Sequence, residues 1–234
     1  MSTRIEQTAI LIFSRTATFE AAVKTFDQAA GKSRNEQIAR RLIRETLATA
    51  HRTHLPVFLH STPAQSTGSF GEKLANALES VFDKGYENVI AIGNDCPDIN
   101  VGMLLEARRK LEENKLVLGP TTDGGVYLIG INRNAAYHRR KFIALPWQGD
   151  RLQAGWEKYG HHSNIVLDWL EPFSDIDRAA DFKALLRRLP VWNPLRKQLV
   201  SILASSLRPL AFYQGKFFPA APGSSTPLRG PPLF

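Results

Sequence analysis

Residues 89–98 read VIAIGNDCPD. The four apolar residues Val89 to Ile92 predict a short buried strand. Glycine and asparagine then break the strand, Pro97 prevents it from resuming, and two carboxylates, Asp95 and Asp98, follow its carboxyl end. Open α/β sheets bind their ligands just beyond the carboxyl ends of their strands. We therefore predict that this turn is the nucleus of a ligand site.

Similar apolar runs alternate with amphipathic stretches along most of the chain. This alternation predicts an α/β fold, a three-layer αβα arrangement around a mostly parallel central sheet. The predicted strands are 8–13, 55–60, 89–92, 116–118, 126–131 and 164–169. Helices are predicted over 20–30, from a Ser33–Glu36 capping box onward, and over 70–84, 101–112, 174–189 and 194–205.

The length of 234 residues suits one domain with an appendage, which we place at 1–189 and 190–234. A composition with 43% hydrophobic and 22% charged residues is typical of soluble globular proteins. One cysteine, Cys96, excludes an internal disulfide framework and favours a reducing compartment. There is no apolar run of membrane-spanning length and no signal-like N-terminus, so we expect a cytoplasmic protein.

The net charge of +8 belongs to the C-terminal part of the chain. No acidic residue follows Asp181, whereas lysines and arginines continue to Arg229, so the preceding body is formally neutral. This distribution argues against a nucleic-acid-binding body. Residues 195–218 mix apolar and basic side chains, which fits peripheral membrane contact, or packing on the same domain or on another subunit.

Asp95 and Asp98 allow two interpretations. The turn is either a plain polar turn in which Asp98 or Asn100 caps the next helix, or part of a site in which a divalent cation, Mg²⁺ or Mn²⁺, neutralises phosphates. Asp95 is the better ligand because it lies nearest the strand end. Asn94 and Asp98 are candidates for contact with a nucleotide or its phosphates.

Two further acidic segments have comparable alternatives. Asp123-Gly124-Gly125 is typical of a tight turn, yet Gly119-Pro120 already predicts a turn, so the later glycines could instead let backbone approach a substrate. Asp123 would then bind an acceptor hydroxyl or act as a catalytic base. Asp175 and Asp177 either cap a helix or provide Asp177 as a second metal ligand.

Cations and a polar loop complete the candidate residues. Arg15 and Lys24, after the first strand, are predicted to contact phosphate, although a helix-face lysine is often merely solvated. Gln65 lies in a Ser-, Thr- and Gly-rich stretch that is either a substrate loop or an ordinary surface loop. Cys96 is not expected to be a nucleophile, because a neighbouring carboxylate raises the pKa of a thiol.

The motifs together resemble a known family. They are Gly93-Asn94-Asp95-Cys96-Pro97, Phe70-Gly71-Glu72-Lys73-Leu74, the stretch from Gly119-Pro120 through Asp123-Gly124-Gly125 to Gly130, and Asp175-Ile176-Asp177. The order resembles that of a bacterial domain of unknown function described as a glycosyltransferase-like, radical-SAM/selenodomain-associated transferase. The resemblance covers roughly residues 8 to 188. It implies a GT-A-like nucleotide-diphospho-sugar transferase fold, in which Asp95 and Asp177 would hold Mg²⁺ or Mn²⁺.

The chain departs from this family at one place. Many members carry a glycine- and proline-containing loop after the first strand that ends in Lys-Thr-Arg. Here residues 14–25 keep Arg15 and Lys24 but contain neither glycine nor proline. A helix at this position offers fewer free backbone N–H groups to phosphates than a loop would.

These observations predict a metal-dependent transferase that uses a nucleotide or a nucleotide-diphospho-sugar and transfers a glycosyl or nucleotidyl group. The alternative is a binding or scaffold protein that keeps the fold without turnover, and the lost glycine loop motivates it.

Overall fold

The computed structural model describes residues 7–62, 67–147, 149 and 151–205. Within this part of the chain six strands form one sheet in the order β2-β1-β3-β5-β4-β6. The strands are β1 (Thr8–Arg15), β2 (Val57–Thr62), β3 (Asn88–Ile92), β4 (Leu116–Pro120), β5 (Val126–Asn132) and β6 (Leu167–Trp169). The helices are α1 (Ala17–Val23), α2 (Gly31–His51), α3 (Phe70–Phe82), α4 (Val101–Asn114), α5 (Arg139–Ile143), α6 (Leu152–Ser163), α7 (Ala179–Arg188) and α8 (Pro194–Ala204).

The sheet is mostly parallel, as predicted. β1 pairs in parallel with β2 and β3, and β4 pairs in parallel with β6, whereas β5 runs antiparallel between β3 and β4. The carboxyl ends of the parallel strands therefore meet at one edge, together with the hairpin that joins β4 to β5. This is the three-layer αβα architecture of the GT-A-like nucleotide-diphospho-sugar transferase fold.

Alternating side chains of the central strands pack into a hydrophobic core on each face of the sheet. Ala9, Leu11 and Ala91 pack with α3, α5 and α6 on one face. Ile10 and Ile90 pack with α4 on the other face. Both faces are covered, which explains why these strands read as continuous apolar runs rather than as an alternation of apolar and polar residues.

A third apolar cluster joins α2, α7 and α8. Ile176, Phe182 and Leu199 are buried in it. α8 lies in the predicted extension after residue 189, and its inward side packs on the body of the protein. Residues 206–234, to which the rest of the predicted extension belongs, lie outside the described residues. No described helix has the length and apolar character needed to cross a membrane.

Several predicted helix boundaries were wrong, among them the start at residue 174, since α7 begins at Ala179. The helix predicted over 20–30 ends at Val23, because Lys24 is extended and the side chain of Asn35 accepts the backbone N–H groups of Phe26 and Asp27, at 2.9 and 3.0 Å. α2 begins at Gly31, so the predicted Ser33–Glu36 capping box lies inside the helix.

The predicted turn at Gly119-Pro120 was also wrong. Both residues lie in β4, and the turn is formed by the residues that follow. Gly119 is required by packing rather than by chain reversal. A Cβ atom at Gly119 would lie 2.4 Å from the Tyr127 ring, which crosses the strand at this point.

Candidate functional site

A pocket of about 460 Å³ opens at the strand ends that the sequence indicated. Among the predicted residues, its wall includes Arg15, Asn94, Asp95 and Gly125. Its size lies within the range of small-molecule sites, roughly 300–1,000 Å³. These four residues, which were predicted from three separate motifs, therefore meet at one concave surface.

The position of the Asp95 side chain depends on Gly93, two residues earlier in the chain. This side chain folds back over Gly93, where a Cβ atom would lie 2.6 Å from its Oδ1 atom. The other oxygen, Oδ2, lies 3.2 Å from the Lys24 ammonium. Gly93 thus permits the carboxylate position that the pocket wall displays.

Lys24 lies among carboxylates. Its Nζ atom lies 2.7 Å from Asp177 Oδ1, 3.2 Å from Asp95 Oδ2 and 3.3 Å from Glu20 Oε1, and it donates a hydrogen bond to the carbonyl of Ile176 at 3.0 Å. Burial by itself lowers the pKa of this ammonium, but the Asp95, Glu20 and Asp177 carboxylates outweigh burial and raise it. The group is a permanent cation with no place in the pocket wall, which differs from the phosphate contact that the sequence suggested.

The β4–β5 hairpin carries Asp123 on a tight turn. The Thr121 hydroxyl donates to Asp123 Oδ1 at 2.5 Å, and the N–H of Gly125 donates to the same atom at 3.2 Å. The Thr121 bond is the main reason that the pKa of Asp123 lies below its usual value; partial burial opposes it and the Gly125 N–H supports it. Gly124 has φ +97°, which explains the glycine at that position.

The same hairpin is tied to the segment before α7. Thr122 donates its N–H to the carbonyl of Phe173 at 3.0 Å, and Phe173 donates its own to the carbonyl of Pro120 at 3.1 Å. This short pairing brings carboxylate oxygens of Asp123, Asp175 and Asp177 within 4.8 Å of one another. Sequence reasoning paired Asp177 with Asp95; the structure adds Asp175 and Asp123 to its surroundings.

Asp175 is the member of this cluster that lines the pocket. Burial, reinforced by the negative charges of Asp177, Asp123 and Asp95, raises the pKa of Asp175 to about 6. Carboxylates held this close repel one another unless a cation lies between them. Hard oxygen ligands of this kind suit Mg²⁺ or Mn²⁺, so the residues present fit such an ion.

Neither Asp175 nor Asp177 caps α7. The N-cap residue is Arg178, and the side chain of Asp181, in the first turn, accepts the backbone N–H groups of Arg178 at 2.8 Å and Asp177 at 3.2 Å. The carboxylates of the Asp175-Ile176-Asp177 motif are therefore available to the cluster.

Asp98 lies away from the pocket wall. Its Oδ2 atom lies 2.5 Å from Nη2 of Arg188, at the end of α7. The cap of α4 is Asn100, whose side chain accepts the N–H of Met103 at 3.1 Å. Of the two predicted caps, Asn100 is the correct one, and Asp98 links the β3 turn to α7.

Sequence reasoning missed Lys73 and the aromatic wall. Lys73 follows the capping box of Ser69 and Glu72 in the first turn of α3, lines the pocket, and forms no ion pair with another described residue. The wall itself includes five aromatic residues. They are Phe13, Phe19, Phe70, Tyr127 and Trp147. The Phe70-to-Leu74 motif was the available signal, since it placed a lysine and an aromatic residue at a helix start.

The remaining predicted residues are Cys96, the two glycines of the β4–β5 hairpin and Gln65. The Cys96 thiol is buried, and burial, with the charges of Asp98 and Asp95, raises its pKa to about 12. That it is no nucleophile stays a prediction. Gly124 is needed for the hairpin, and Gly125 lines the pocket. Gln65 lies outside the described residues.

This sheet order, with its pocket and acidic cluster at the strand ends, defines a GT-A-like α/β protein. Residues 33–149, half of the chain, match the model of a family of uncharacterized proteins conserved in bacteria, DUF2064. The protein belongs to that family. The matched segment contains Asp95 and Asp123, whereas Lys24, Asp175 and Asp177 lie outside it.

Solved structures share the fold. One is a protein from Desulfovibrio desulfuricans G20, provisionally named a nucleotide-diphospho-sugar transferase, with a TM-score of 0.73 and 21% identity over 86% of this chain and 96% of that one. Another is 4-diphosphocytidyl-2C-methyl-D-erythritol synthase from Anaerococcus prevotii DSM 20548, with a TM-score of 0.50 and 10% identity over 87% of this chain and 99% of the other. At these identities the likeness is one of fold. No curated protein sequence matches the chain.

Proposed function

We propose that the protein is a metal-dependent transferase that acts on a nucleotide or a nucleotide-diphospho-sugar. The observation that carries this proposal is the juxtaposition, at one pocket, of two basic side chains, aromatic rings and an acidic cluster that reaches the wall through Asp175. The named activities of the two structural relatives, which share the fold, support the substrate class.

The acidic cluster would hold the ion. Asp175 and Asp177, with Asp123 beside them, supply the oxygen ligands. A bound Mg²⁺ or Mn²⁺ would supply neutralisation of phosphate charge. The lowered pKa of Asp123 keeps its carboxylate ionised. An ionised carboxylate of this kind is better suited to bind a metal ion, or to accept a hydrogen bond from a substrate hydroxyl, than to act as a general base.

Two basic side chains in the wall would bind phosphate. Arg15 is 41% exposed and pairs at 3.3 Å with Glu20, so part of its guanidinium remains open to a ligand. Lys73 has no carboxylate partner among the described residues. Arginine and lysine in these surroundings form charge-assisted hydrogen bonds with phosphate oxygens.

The aromatic wall would hold the base. The Phe70 ring meets Phe13 edge-on at 5.6 Å and Trp147 at 5.4 Å, and Phe70 is itself 41% exposed. Aromatic rings stack on nucleobases irrespective of base identity. Asn94 and the free oxygen of Asp95 remain for contacts with the ligand's sugar hydroxyls.

Binding tests the proposal directly. Nucleoside triphosphates and nucleotide sugars are screened by thermal shift with and without Mn²⁺, and a ligand at 100 times its Kd should stabilise the fold by about 2.7 kcal/mol. Asp175→Asn should abolish the part of the ligand-induced stabilisation that depends on Mn²⁺. Asp83→Asn, which changes a side chain that is 70% exposed at the end of α3, should retain it. If no nucleotide or nucleotide sugar stabilises the wild-type protein in either condition, the proposal is wrong.

A binding protein without turnover is the second candidate. The observation in its favour is α1, which replaces the glycine loop and leaves Lys24 committed to carboxylates. Release of free nucleotide or transfer of sugar from a panel of nucleotide sugars, abolished by Asp175→Asn, would exclude this candidate. Tight binding with no product over the same panel would favour it.

A further inference from the structure

Lys24 and its carboxylate neighbours form a filled cation position. Three carboxylates and the Ile176 carbonyl approach one ammonium group at 2.7–3.3 Å. An ammonium has three donors and no acceptor, so these four oxygens satisfy it fully. The two carboxylates that sequence reasoning assigned to one metal ion, Asp95 and Asp177, are thus already joined by a cation of the chain itself.

The backbone holds this lysine in place. Lys24 ends α1, and its N–H donates to the carbonyl of Glu20 at 2.8 Å. Two residues later the buried Phe26 ring packs against Phe182 of α7 at 5.8 Å. The lysine side chain is only 9% exposed. Turning its ammonium into the pocket would break its ion pairs with three carboxylates and its hydrogen bond to the Ile176 carbonyl.

A divalent ion cannot share this position. Metal–oxygen distances of about 2.1 Å for Mg²⁺ would bring the ion against the ammonium, and two cations so close repel. One oxygen each of Asp123 and Asp175 lies within 4.8 Å of an Asp177 oxygen, whereas neither residue is among the described ion-pair partners of Lys24, which are Glu20, Asp95 and Asp177. Asp177 is therefore the residue common to the filled position and to the acidic cluster.

We propose that the Lys24 ammonium is a resident cation of the site, which fixes Asp95 and Asp177 and leaves a single exchangeable divalent cation to Asp123, Asp175 and Asp177. The inference rests on the metal dependence of the proposed function. It assigns Lys24 as a positioning residue and removes Asp95 from the metal ligands.

Titration with Mn²⁺ alone tests this, with free Mn²⁺ followed by electron paramagnetic resonance. Wild-type protein should bind one ion per chain. Lys24→Ala empties the position between Asp95 and Asp177 and should bind a second ion, which the double variant Lys24→Ala/Asp95→Asn should lose again. Lys110→Ala is the matched control, because it removes a lysine that lies 2.7 Å from a single aspartate, Asp168, and it should still bind one ion.

A folded Lys24→Ala variant that binds no more Mn²⁺ than wild type overturns the inference, as does a wild-type protein that binds none. If Lys24→Ala does not fold, the single variants decide. Asp95→Asn should keep the wild-type affinity for Mn²⁺ within about twofold, while Asp175→Asn should weaken it at least about tenfold. Loss of Mn²⁺ in Asp95→Asn overturns the inference. Intact Mn²⁺ behaviour with no nucleotide binding would overturn only the proposed transferase function.

Discussion

The backbone N–H of Ile176 donates to the carbonyl oxygen of Asp95 at 2.8 Å. This bond joins the turn after β3 to the segment before α7, which are far apart in the sequence. The Ile176 side chain points away from the pocket and is buried in the cluster of α2, α7 and α8. The acidic residues on either side of it thus depend on an apolar anchor.

Shortening that anchor should affect the ion site. Ile176→Ala should lower the free energy of unfolding by about 2–4 kcal/mol, as for other buried large-to-small changes. It should also weaken Mn²⁺ binding by roughly three- to tenfold, because Asp175 and Asp177 lose their fixed positions. Urea unfolding and Mn²⁺ titration measure the two effects. Leu199→Ala, in the same cluster but on α8, should lower the free energy of unfolding by a similar amount and leave the affinity for Mn²⁺ unchanged. An equal loss of affinity in both variants would contradict the claim that Ile176 fixes the positions of Asp175 and Asp177.

The exposed ring of Phe70 should contribute more to nucleotide binding than to the stability of the fold. Phe70→Ala removes a pocket-wall ring that is already 41% exposed, so the loss of stability should stay below about 1.5 kcal/mol. Removal of base stacking should weaken nucleotide binding by about 1–3 kcal/mol, measured by calorimetry. Leu105→Ala, at a comparably exposed apolar residue on α4, should bind nucleotide like wild type. Unchanged affinity in Phe70→Ala would remove the ring from the binding site.

Asp175 should make the metal-free protein less stable as pH rises. Its pKa moves from an ordinary value of 3.8 to about 6 in the folded state, chiefly through burial. The folded state therefore holds more protons than the unfolded state between these values, and the free energy of unfolding falls as pH rises from about 4 to about 6. Allowing for solvent screening of a half-buried group, we expect a fall of about 1–2 kcal/mol.

Urea unfolding in EDTA at a series of pH values measures this slope. Asp175→Asn should flatten it and be the more stable protein above pH 6, whereas Asp83→Asn should follow the wild-type curve. A wild-type slope retained in Asp175→Asn would assign the effect to another group.

Gly71 should be intolerant of any side chain. A Cβ atom there would lie 2.4 Å from Nε1 of Trp147 and 2.9 Å from the carbonyl oxygen of Ile143. Gly71→Ala should therefore destabilise the fold by about 1–3 kcal/mol, although alanine is the better helix former. Gly102→Ala in α4 meets only the Asn100 side chain, at 3.2 Å, and should be neutral or stabilising by up to about 1 kcal/mol. The midpoints of thermal unfolding of the two variants measure this difference. A loss of stability in Gly71→Ala alone would show that close packing against Trp147 excludes a side chain at residue 71.

The thiol of Cys96 should be inert in the folded protein. With a pKa of about 12 and full burial, its reaction with a thiol reagent at pH 8 should be at least about a thousandfold slower than in urea. The absorbance change on reaction with a disulfide reagent measures both rates. Rapid labelling without urea would show that the turn after β3 opens readily.

The strands and the place of the site could be predicted because their signals are local. Apolar runs such as residues 89–92 define buried strands by themselves, and the strand ends then fix where Asp95 must lie. The partners of Lys24 could not be predicted in this way. A lysine near a helix end looks solvated from the sequence alone. In the fold the Lys24 ammonium is buried and donates to the Ile176 carbonyl, which lies 152 positions away in the sequence.

Gly119 and Asp98 show the same limit. Gly119-Pro120 has turn composition, but the Tyr127 ring on the neighbouring strand requires a glycine there. Asp98 is well spaced to cap α4, yet Asn100 takes that role and Arg188 pairs with Asp98. In each case a contact in the folded protein, which local composition does not reveal, decides between two locally reasonable interpretations.

The ammonium of Lys24 has a kinetic consequence. It ties the two loops that carry Asp95 and Asp177 before any ligand arrives, so an entering divalent ion has no loop to order. We therefore expect the association rate of the ion to follow the rate at which it sheds its own water, with Mn²⁺ entering faster than the reluctantly dehydrating Mg²⁺.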